Sequence, residues 1–296
     1  MWAGVVVNYE AGPALAACVA SLLADDGAGG PPAVVVVDNG SRDGSVARLR
    51  EVAGDVEVVT PTRNLGYAGA ANRGIVAVRR RRELGVVAVC NADVTIEPGT
   101  GAAMLARFGA EADLGALGPR ITSPDGTIYP SARSVPSVGD AVGHGLLGLV
   151  WSGNPFTRRY RQVDVDPGTT RDVDWVSGAA IWLRCEALDE VGGWDDRYFM
   201  YVEDVDLCWR LREAGWRIAY QPEGRVEHLQ GLSTDRHPYR MIVAHHRSLL
   251  RFAARRWSGR RRLLLVPAAG YLGLRTLLAL FKRLVAGRGR MPKVGK

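Results

Sequence analysis

Two acidic stretches of this sequence have the residue types and spacing to do chemistry. The first, CNADVTIEPG at residues 90–99, follows the apolar run GVVAV and places Asn91 and Asp93 two residues apart. On an extended strand, side chains at i and i+2 point to the same side, so both would aim beyond the strand's carboxyl end. In open α/β sheets that crevice binds ligands. A polar strand end that caps the next helix, with Pro98 in its first turn, would use the same residues.

The second stretch is GGWDDRYFMYVEDVDLCWRLREAGW, which carries five carboxylates between Asp195 and Asp206. Apolar residues at helical spacing predict a helix from about Glu203 to Gly215. Acids in a first helical turn suit the helix dipole. Five of them exceed what one helix start needs, and a positioned carboxylate can also accept a proton from a reacting hydroxyl.

Two glycine-rich stretches could hold a nucleotide or a diphosphate. VVVVDNGSRDGS, at 34–45, delivers Asp38 from an apolar strand into a turn whose amides favour anionic groups. The same residues would also satisfy a simple Asx turn and helix cap. TRNLGYAGAANRGI, at 62–75, opens a helix with small residues that let a flat ligand approach the backbone. Its polar exceptions are Arg63, Asn64 and Asn72.

The first 120 residues alternate between short β-branched runs and amphipathic stretches. We predict strands at 4–7, 33–37, 56–59, 86–89 and 114–117, and helices at 14–23, 45–53, 67–82 and 99–108. Nearly apolar strands flanked by helices indicate a parallel sheet covered on both faces. The polar residues that end four of these strand regions would then share one rim, namely Asn8-Tyr9, Asp38-Asn39, Arg63-Asn64 and Asn91 to Asp93.

Beyond residue 130 the pattern changes twice. Residues 131–170 are rich in Gly, Pro, Ser and Arg, which is typical of a mobile functional loop or a partly disordered segment. A regular hydrophobic pattern returns at residues 172–188, DVDWVSGAAIWLRCEAL, and predicts either a pair of strands or a strand and a helix.

Charge is distributed unevenly along the chain. Residues 236–296 carry 16 Lys/Arg and no Asp/Glu, whereas residues 1–235 carry 22 basic and 31 acidic side chains, a net charge of −9. Such a basic, amphipathic tail predicts a polyanionic partner. Its longest uncharged run, 263–274, is 12 residues, and a bilayer span needs ~20. We therefore expect the tail to lie in the headgroup region of an anionic membrane rather than to cross it. The alternative is a surface helix packed on the body.

Lysine and cysteine usage excludes several classes of protein. Lysine occurs only at Lys282, Lys293 and Lys296, so a P-loop lysine or a Schiff-base lysine in the body is excluded. Four cysteines lie far apart without a C-x-x-C pair, which argues against a disulfide framework or a structural zinc site and fits a reducing cytosol.

The motifs occur in the order VVNYE, VVDNGSRDGS, RNLGYAGAANRG, NADV, SGAAIWLRCEAL, GGWDDRYFMYVEDVDLCWRLREAGW and VEHLQGLS. This set resembles the family 2 inverting glycosyltransferases, most closely the bacterial rhamnosyltransferase-like branch that builds cell-surface polysaccharides. The resemblance covers about residues 2–235. It implies an α/β fold of GT-A (Rossmann-like) type, with a mostly parallel sheet and helices on both faces. Residues 1–120 would be the nucleotide-binding half, 121–235 the acceptor and catalytic half, and 236–296 the basic amphipathic helical extension.

The resemblance also implies residue roles in binding the nucleotide-sugar. Tyr9 and Asp38 match positions that hold the pyrimidine, and the second nucleotide-binding stretch is matched by Arg63, Asn64 and Asn72. Asn91-x-Asp93 matches a D-x-D site, in which Asp93 would coordinate a divalent cation, Mg²⁺ or Mn²⁺, on the donor diphosphate. Asn91 departs from that pattern. One negative charge fewer weakens metal affinity, so Asn91 is better suited to the ribose.

Further matches concern the metal, the base and the acceptor. His228 matches a histidine that completes the metal site in some relatives. Glu203-Asp204 matches the family's E-D motif, with Asp204 as the base that takes the acceptor proton. Trp194, beside Asp195, is the aromatic candidate for stacking on an acceptor sugar.

These roles imply transfer of a sugar, with dTDP-rhamnose as the expected donor, to a lipid-linked or polysaccharide acceptor at the cytoplasmic face of the membrane. A UDP- or GDP-sugar donor is the first alternative. A sugar-phosphate nucleotidyltransferase would want an N-terminal loop with Gly, Arg and Lys, which this sequence lacks. A nucleic-acid-binding protein would want aromatic stacking platforms among its basic residues, so we expect no nucleic-acid partner.

Overall fold

The computed structural model of the chain describes residues 1–25, 30–80, 83–135, 151, 153–161, 165–230 and 238–288. The strands are β1 (Trp2–Asn8), β2 (Ala33–Asp38), β3 (Glu57–Val59), β4 (Val86–Asn91), β5 (Val94–Ile96), β6 (Leu114–Thr122), β7 (Ile128–Tyr129), β8 (Ala132–Arg133), β9 (Arg171–Asp172), β10 (Trp175–Val176), β11 (Ala180–Arg184) and β12 (Arg217–His228). The α-helices are α1 (Ala14–Ala24), α2 (Ser45–Val52), α3 (Gly66–Arg79), α4 (Thr100–Ala110), α5 (Pro155–Arg161), α6 (Cys185–Glu190), α7 (Glu203–Glu213), α8 (Pro238–Arg256) and α9 (Leu265–Arg288), and a 3₁₀ helix covers Gly259–Leu264.

The main sheet has the order β3-β2-β1-β4-β11-β6-β12-β5. β1 pairs in parallel with β2 and β4, and β12 pairs in parallel with β6. β11 lies between β4 and β6 and pairs antiparallel with both, and β5 pairs antiparallel with the C-terminal end of β12. The sheet is therefore mixed but mostly parallel, as the sequence predicted.

Alternate side chains of the apolar strands enter two separate cores, one on each face of the sheet. Val5 belongs to the core that includes α3 and α7, and Val6 to the core that includes α1 and α4. Because successive residues of a strand point to opposite faces, a run such as AGVVVN needs helices on both. The predicted helix layers are confirmed.

Each predicted strand and helix of the first 120 residues is present within a few residues of its expected bounds. The same holds for α7, which begins at Glu203. The sequence missed β5, which follows the NAD tripeptide and pairs with the end of β12. Of the loop expected at 131–170, residues 136–150, 152 and 162–164 lie outside the described residues, and the remainder includes β8 and α5.

The first helix of the basic tail is attached to the body. The Ser248 hydroxyl donates to the Met200 carbonyl at 3.0 Å. The Arg255 guanidinium lies 2.6 Å from the Asp195 carboxylate and 3.2 Å from that of Asp206. The alternative of a helix packed on the body therefore holds for α8, since Arg255 finds acidic partners there.

The second part of the tail is longer and more apolar than the sequence suggested. Gly259–Phe281 is a 23-residue helical segment with a mean hydropathy of 1.7 and no buried residue in its most apolar window, long enough to cross a membrane by length and composition. The expectation that the tail is too short to cross is wrong on this count. The helix continues past Arg275, and Pro267 falls in the first turn of α9, where its missing N–H breaks no intrahelical bond.

Candidate active site

A cavity of about 1060 Å³ lies between the carboxyl-end rim of the sheet and the two tail helices. Its sheet side is lined by residues at or just after the ends of four strands, namely Tyr9, Asn39, Asn91, Asp93 and His228. Glu203 and Asp204, at the start of α7, also line it. The right-handed crossovers of a parallel sheet bring these strand ends to one edge. The predicted gathering of polar strand ends at a single rim is confirmed.

The ends of β1 and β2 shape the rim through a network around Asp38. Asn8 is opposite Asp38 in the parallel register and donates to its carboxylate at 2.9 Å. The Ser41 amide donates to both oxygens of the same carboxylate at 3.3 Å. Asp38 is buried and does not line the cavity, so the Asx-turn alternative describes its geometry. Its contact with a pyrimidine stays a prediction, while Tyr9 and Asn39 beside it do line the cavity.

The three polar residues of the second predicted nucleotide-binding stretch lie in three different environments. Asn64 lines the cavity, and its side-chain oxygen accepts a bond of 2.9 Å from the Gly66 amide. Arg63 is exposed and lies outside the cavity lining. Asn72 also lies outside it, because its amide clamps the backbone of Trp194, donating to the carbonyl at 2.8 Å and accepting from the amide at 3.0 Å. The structure thus gives Asn72 a structural bond in place of the nucleotide contact.

Asn91, Asp93 and His228 converge on one point of the cavity. The His228 Nε2 atom lies 3.2 Å from the Asp93 Oδ1 atom and 3.3 Å from the Asn91 Nδ2 atom. The pairing of β5 with β12 brings His228 beside Asp93. In this pairing His228 is opposite Val94, and the Leu229 amide donates to the Asp93 carbonyl at 3.0 Å. Asn91 and Asp93 do face a common site, although a turn rather than an extended strand carries Asp93 there.

Asp93 and His228 are suited to hold a divalent cation. His228 is only 9% exposed, and its Nε2 atom faces Asp93. Its Nδ1 atom has no hydrogen-bond partner. Within the described ranges no three His, Cys, Asp or Glu side chains form a metal-binding group. Mg²⁺ commonly takes one or two protein ligands and completes its shell with substrate phosphates and water, so this pair fits such an ion. When bound, the cation would neutralise charge on a diphosphate.

Glu203 and Asp204 occupy the N-terminus of α7 and also line the cavity. Two left-handed residues, Tyr201 (φ 66°) and Val202 (φ 70°), turn the chain into this helix. The Asp204 carboxylate accepts from the Gly178 amide at 2.9 Å and from the Val205 amide at 2.8 Å. These bonds fix the direction of the carboxylate at the cavity wall.

Burial sets the proton affinity of this pair. It raises the pKa of the Asp204 carboxyl above its usual value, against the lowering effect of the two backbone hydrogen bonds and of the Arg133 charge. It raises the pKa of Glu203 further, together with the negative charge of Asp204, and the Glu203 Oε2 atom has no hydrogen-bond partner. A fixed carboxylate with a raised pKa beside a cavity suits proton transfer near neutral pH.

Neither of the two predicted acceptor contacts, Trp194 and Asp195, lines the cavity. Trp194 is 3% exposed, packs edge-on against Tyr67 at 5.6 Å between ring centroids, and lies outside the cavity lining. Asp195 is paired with Arg197 and Arg255, each at 2.6 Å, and the Arg197 hydrogen bond lowers the pKa of that carboxyl to about 2. The indole fills the core and the carboxylate attaches the tail, so neither is available to a sugar.

The matching family model, described as "Glycosyltransferase like family 2", covers residues 3–241. The chain belongs to glycosyltransferase family 2. N-acetylglucosaminyl-diphospho-decaprenol L-rhamnosyltransferase from Mycobacterium tuberculosis (strain ATCC 25618 / H37Rv) is 41% identical to this chain over 263 residues, 86% of this chain and 84% of that protein.

Two solved structures share the fold at low sequence identity. GalNAc-T7 with UDP, GalNAc and Mn²⁺ has a TM-score of 0.59 at 16% identity, covering 88% of this chain and 49% of that one. The mannosyltransferase PcManGT from Pyrobaculum calidifontis, with GDP-Man and Mn²⁺, has a TM-score of 0.55 at 18% identity, covering 98% and 76%. The GT-A fold of this family 2 glycosyltransferase is thereby confirmed.

Sequence reasoning missed several residues of the glycosyltransferase cavity. Arg133 lines it, with its guanidinium carbon 4.9 Å from the centroid of the Trp175 ring, which also lines it. The Tyr67 hydroxyl donates to the Gly178 carbonyl and so supports the segment that holds Asp204. Arg133 lies within the irregular stretch 131–170 and has no local signal. Tyr67 was visible only as one aromatic residue within a glycine-rich motif.

Gly66 packs directly against the backbone of Phe199, which belongs to a distant segment of the chain. It has a φ of +73°, and an added Cβ would overlap the Phe199 backbone carbonyl, which also accepts the Tyr67 amide at 3.0 Å. We expect Gly66→Ala to lower the free energy of unfolding by about 1–3 kcal/mol beyond the cost of the left-handed backbone. Gly40→Ala is the matched control, because Gly40 has a φ of +89° and nothing within 4 Å. Equal losses in chemical denaturation of the two variants would contradict the close packing at Gly66.

Proposed function

We propose that this glycosyltransferase moves rhamnose from dTDP-rhamnose to a lipid-linked acceptor, such as a diphospholipid carrying N-acetylglucosamine, in cell-envelope glycan synthesis. The activity named for the relative that is 41% identical over most of both chains supports this choice of donor and acceptor. A polysaccharide acceptor and a UDP- or GDP-sugar donor are the alternatives that the experiment below separates.

The observation that carries the proposal is the two-sided chemistry of the cavity. The sheet side is polar and acidic, as described above. The tail side is apolar, and its lining from α8, α9 and the segment between them includes Met241, Leu249, Phe252, Trp257, Leu264 and Leu272. Arg240, Arg256 and Arg275 also line this side. A diphosphate attached to a long hydrocarbon chain presents both chemistries, anionic oxygens for guanidinium groups and methylene groups for apolar side chains.

In the proposed reaction the acceptor hydroxyl attacks the anomeric carbon of the donor sugar. The new carbon–oxygen bond forms as the bond to the nucleoside diphosphate breaks, which inverts the anomeric configuration. Asp204 takes the proton of the hydroxyl, and the leaving group departs as the nucleoside diphosphate. Asp93 and His228 would hold the divalent cation on that diphosphate, and Tyr9, Asn64 and Asn91, which line the same cavity, would contact the nucleoside.

We also propose that the enzyme works at the cytoplasmic face of the membrane, attached by its tail. The unburied apolar segment Gly259–Phe281, flanked by arginines, supports attachment to a bilayer. Because the same helices form one wall of the cavity, an acceptor held in the bilayer would reach the carboxylates without leaving its lipid environment.

The test is transfer from matched donors to one lipid-linked acceptor. With purified enzyme, Mg²⁺ and a polyprenyl-diphosphate-linked N-acetylglucosamine, we expect mass spectrometry to detect a product with dTDP-rhamnose and none with UDP- or GDP-sugars. The matched control acceptor is the same sugar diphosphate with a short water-soluble alcohol, which we expect to be used at least about tenfold less efficiently because it leaves the apolar wall empty. Turnover with a UDP- or GDP-sugar alone would replace the proposed donor, and equal use of both acceptors would remove the role of the apolar wall.

A further inference from the structure

A second cavity, of about 780 Å³, lies beside the catalytic one. It is formed by α8, by the C-terminal half of α9 and by Arg197 and Phe199 from the segment that precedes α7. Phe199, Arg240 and Met241 line both cavities, so the two share one wall. No step of the proposed reaction uses the second cavity.

Four arginines and no carboxylate line this cavity. Arg240, Arg247 and Arg251 are seven and four residues apart, which places them on one face of α8. Arg197 is committed to Asp195, but within the described residues Arg240 and Arg247 have no ion-pair partner. The guanidinium of Arg251 lies 6.0 Å from the centroid of the Tyr198 ring. This side of the cavity therefore presents uncompensated positive charge, which is suited to a phosphate group.

The other side of the cavity is apolar. Leu280, Phe281 and Leu284 of α9 form it, and Phe281 is 65% exposed although it is a large aromatic side chain. Leu280 and Phe281 end the unburied apolar segment Gly259–Phe281, and Leu284 follows it on the same helix. A small soluble anion would satisfy the arginines but would leave these side chains in water, whereas an acyl chain would cover them.

We propose that this cavity binds the headgroup phosphate of an anionic phospholipid, with the start of an acyl chain against α9. The charge of α8 and the apolar face of α9 together match an anionic amphiphile better than either an uncharged lipid or a free phosphate ion. Because the cavity shares Phe199, Arg240 and Met241 with the catalytic one, a bound phospholipid would fix the catalytic opening at the level of the headgroups.

The experiment compares binding of the full chain to vesicles of phosphatidylcholine alone and to vesicles containing phosphatidylglycerol. The test variant is Arg247→Gln/Arg251→Gln, since neither residue lines the catalytic cavity. The matched control is Arg260→Gln/Arg261→Gln, which removes the same charge from exposed positions of the 3₁₀ helix in the same tail. We expect the test variant to bind phosphatidylglycerol vesicles at least about tenfold more weakly than the wild type, and the control to lose markedly less.

A second measurement distinguishes the lipid from free phosphate. Submicellar dihexanoyl-phosphatidylglycerol should raise the melting temperature of the wild type but not of the test variant, and the same concentration of inorganic phosphate should raise neither. Equal losses by the test and control variants would show that binding is a diffuse charge effect and would overturn the proposal, as would equal stabilisation by phosphate. Neither measurement contains donor or acceptor, so both outcomes are independent of the proposed transfer reaction.

Discussion

Replacement of Asp204 by asparagine is expected to lower kcat by about 10³-fold, within the range that a positioned general base contributes. Asparagine keeps the size of the side chain and its carbonyl oxygen can still accept from the Gly178 amide, but it cannot take the acceptor proton. Binding of the nucleotide-sugar should stay within about twofold of the wild type, because the residues proposed to contact the nucleoside (Tyr9, Asn64 and Asn91) do not include Asp204. Steady-state kinetics and donor titration calorimetry provide the two readouts.

Glu203→Gln is the matched control for this prediction. Glu203 is adjacent and buried, but its Oε2 atom has no hydrogen-bond partner, whereas the Gly178 and Val205 amides fix the Asp204 carboxylate at the cavity wall. Burial and the negative charge of Asp204 raise the pKa of Glu203 well above its usual value. We therefore expect Glu203→Gln to retain far more activity. If Glu203→Gln abolished turnover and Asp204→Asn kept it, the roles assigned to the two carboxylates would be reversed.

The pH profile gives an independent check on the base. The proposed base acts in its ionised form, and burial raises the pKa of Asp204, so kcat/KM should fall as the pH drops through that raised value. The acid limb of the profile should therefore lie at a higher pH than an ordinary aspartate would give. A profile that stayed flat down to the usual range of a solvent-exposed aspartate would argue against the burial of this group in the working enzyme.

Loss of the divalent cation is expected to have the second large effect. EDTA should abolish transfer, and Mg²⁺ or Mn²⁺ should restore it. Asp93→Asn should raise the concentration of Mn²⁺ needed for half-maximal activity by about 10–100-fold, because a neutral amide replaces the carboxylate that faces His228 at 3.2 Å. Electron paramagnetic resonance of Mn²⁺, with the donor present, measures the binding directly and does not depend on turnover.

Asp38→Asn is the control for the loss of a negative charge at the same rim. The Asp38 carboxylate is engaged by Asn8 and Ser41 and does not line the cavity, so its neutralisation should leave the Mn²⁺ requirement within about twofold. Full activity of the wild type in EDTA would contradict the cation's role. An unchanged Mn²⁺ requirement in Asp93→Asn would remove Asp93 as its ligand.

The tail gives this glycosyltransferase a site that extends past its family domain. The family match ends at residue 241, whereas the cavity lining continues through α8 and α9 as far as Arg275. The ion pairs of Arg255 with Asp195 and Asp206 fasten α8 beside the start of α7. Attachment to the membrane and construction of the acceptor side of the cavity would therefore be carried out by the same two helices.

The sequence by itself determined the sheet, its covering helices and the carboxylates that face the cavity. Strands such as VVVV and AVC are apolar at every position, and because successive side chains point to opposite faces they require burial on both, a pattern that is local. Chain direction in a parallel sheet then brings the ends of β1, β2 and β4 to one rim without further information. For this reason Tyr9, Asn91 and Asp93 could be placed at a common site, whereas Asp204 was placed there by the resemblance to the family.

Only the tertiary structure decided which polar side chains remain available to a ligand. Asn72, Trp194 and Asp195 have residue types suited to binding a sugar or a nucleotide. The Asn72 amide, however, is hydrogen-bonded to the Trp194 backbone, and the Trp194 indole is buried in the core. The Asp195 carboxylate is paired with Arg197 and Arg255. Arg133 and the apolar wall of the tail could not be foreseen, because their places in the cavity depend on packing against distant segments, such as that of Arg133 on Trp175. Residue type and spacing are local properties, whereas the partner that uses a hydrogen bond or a charge is set by packing between distant segments.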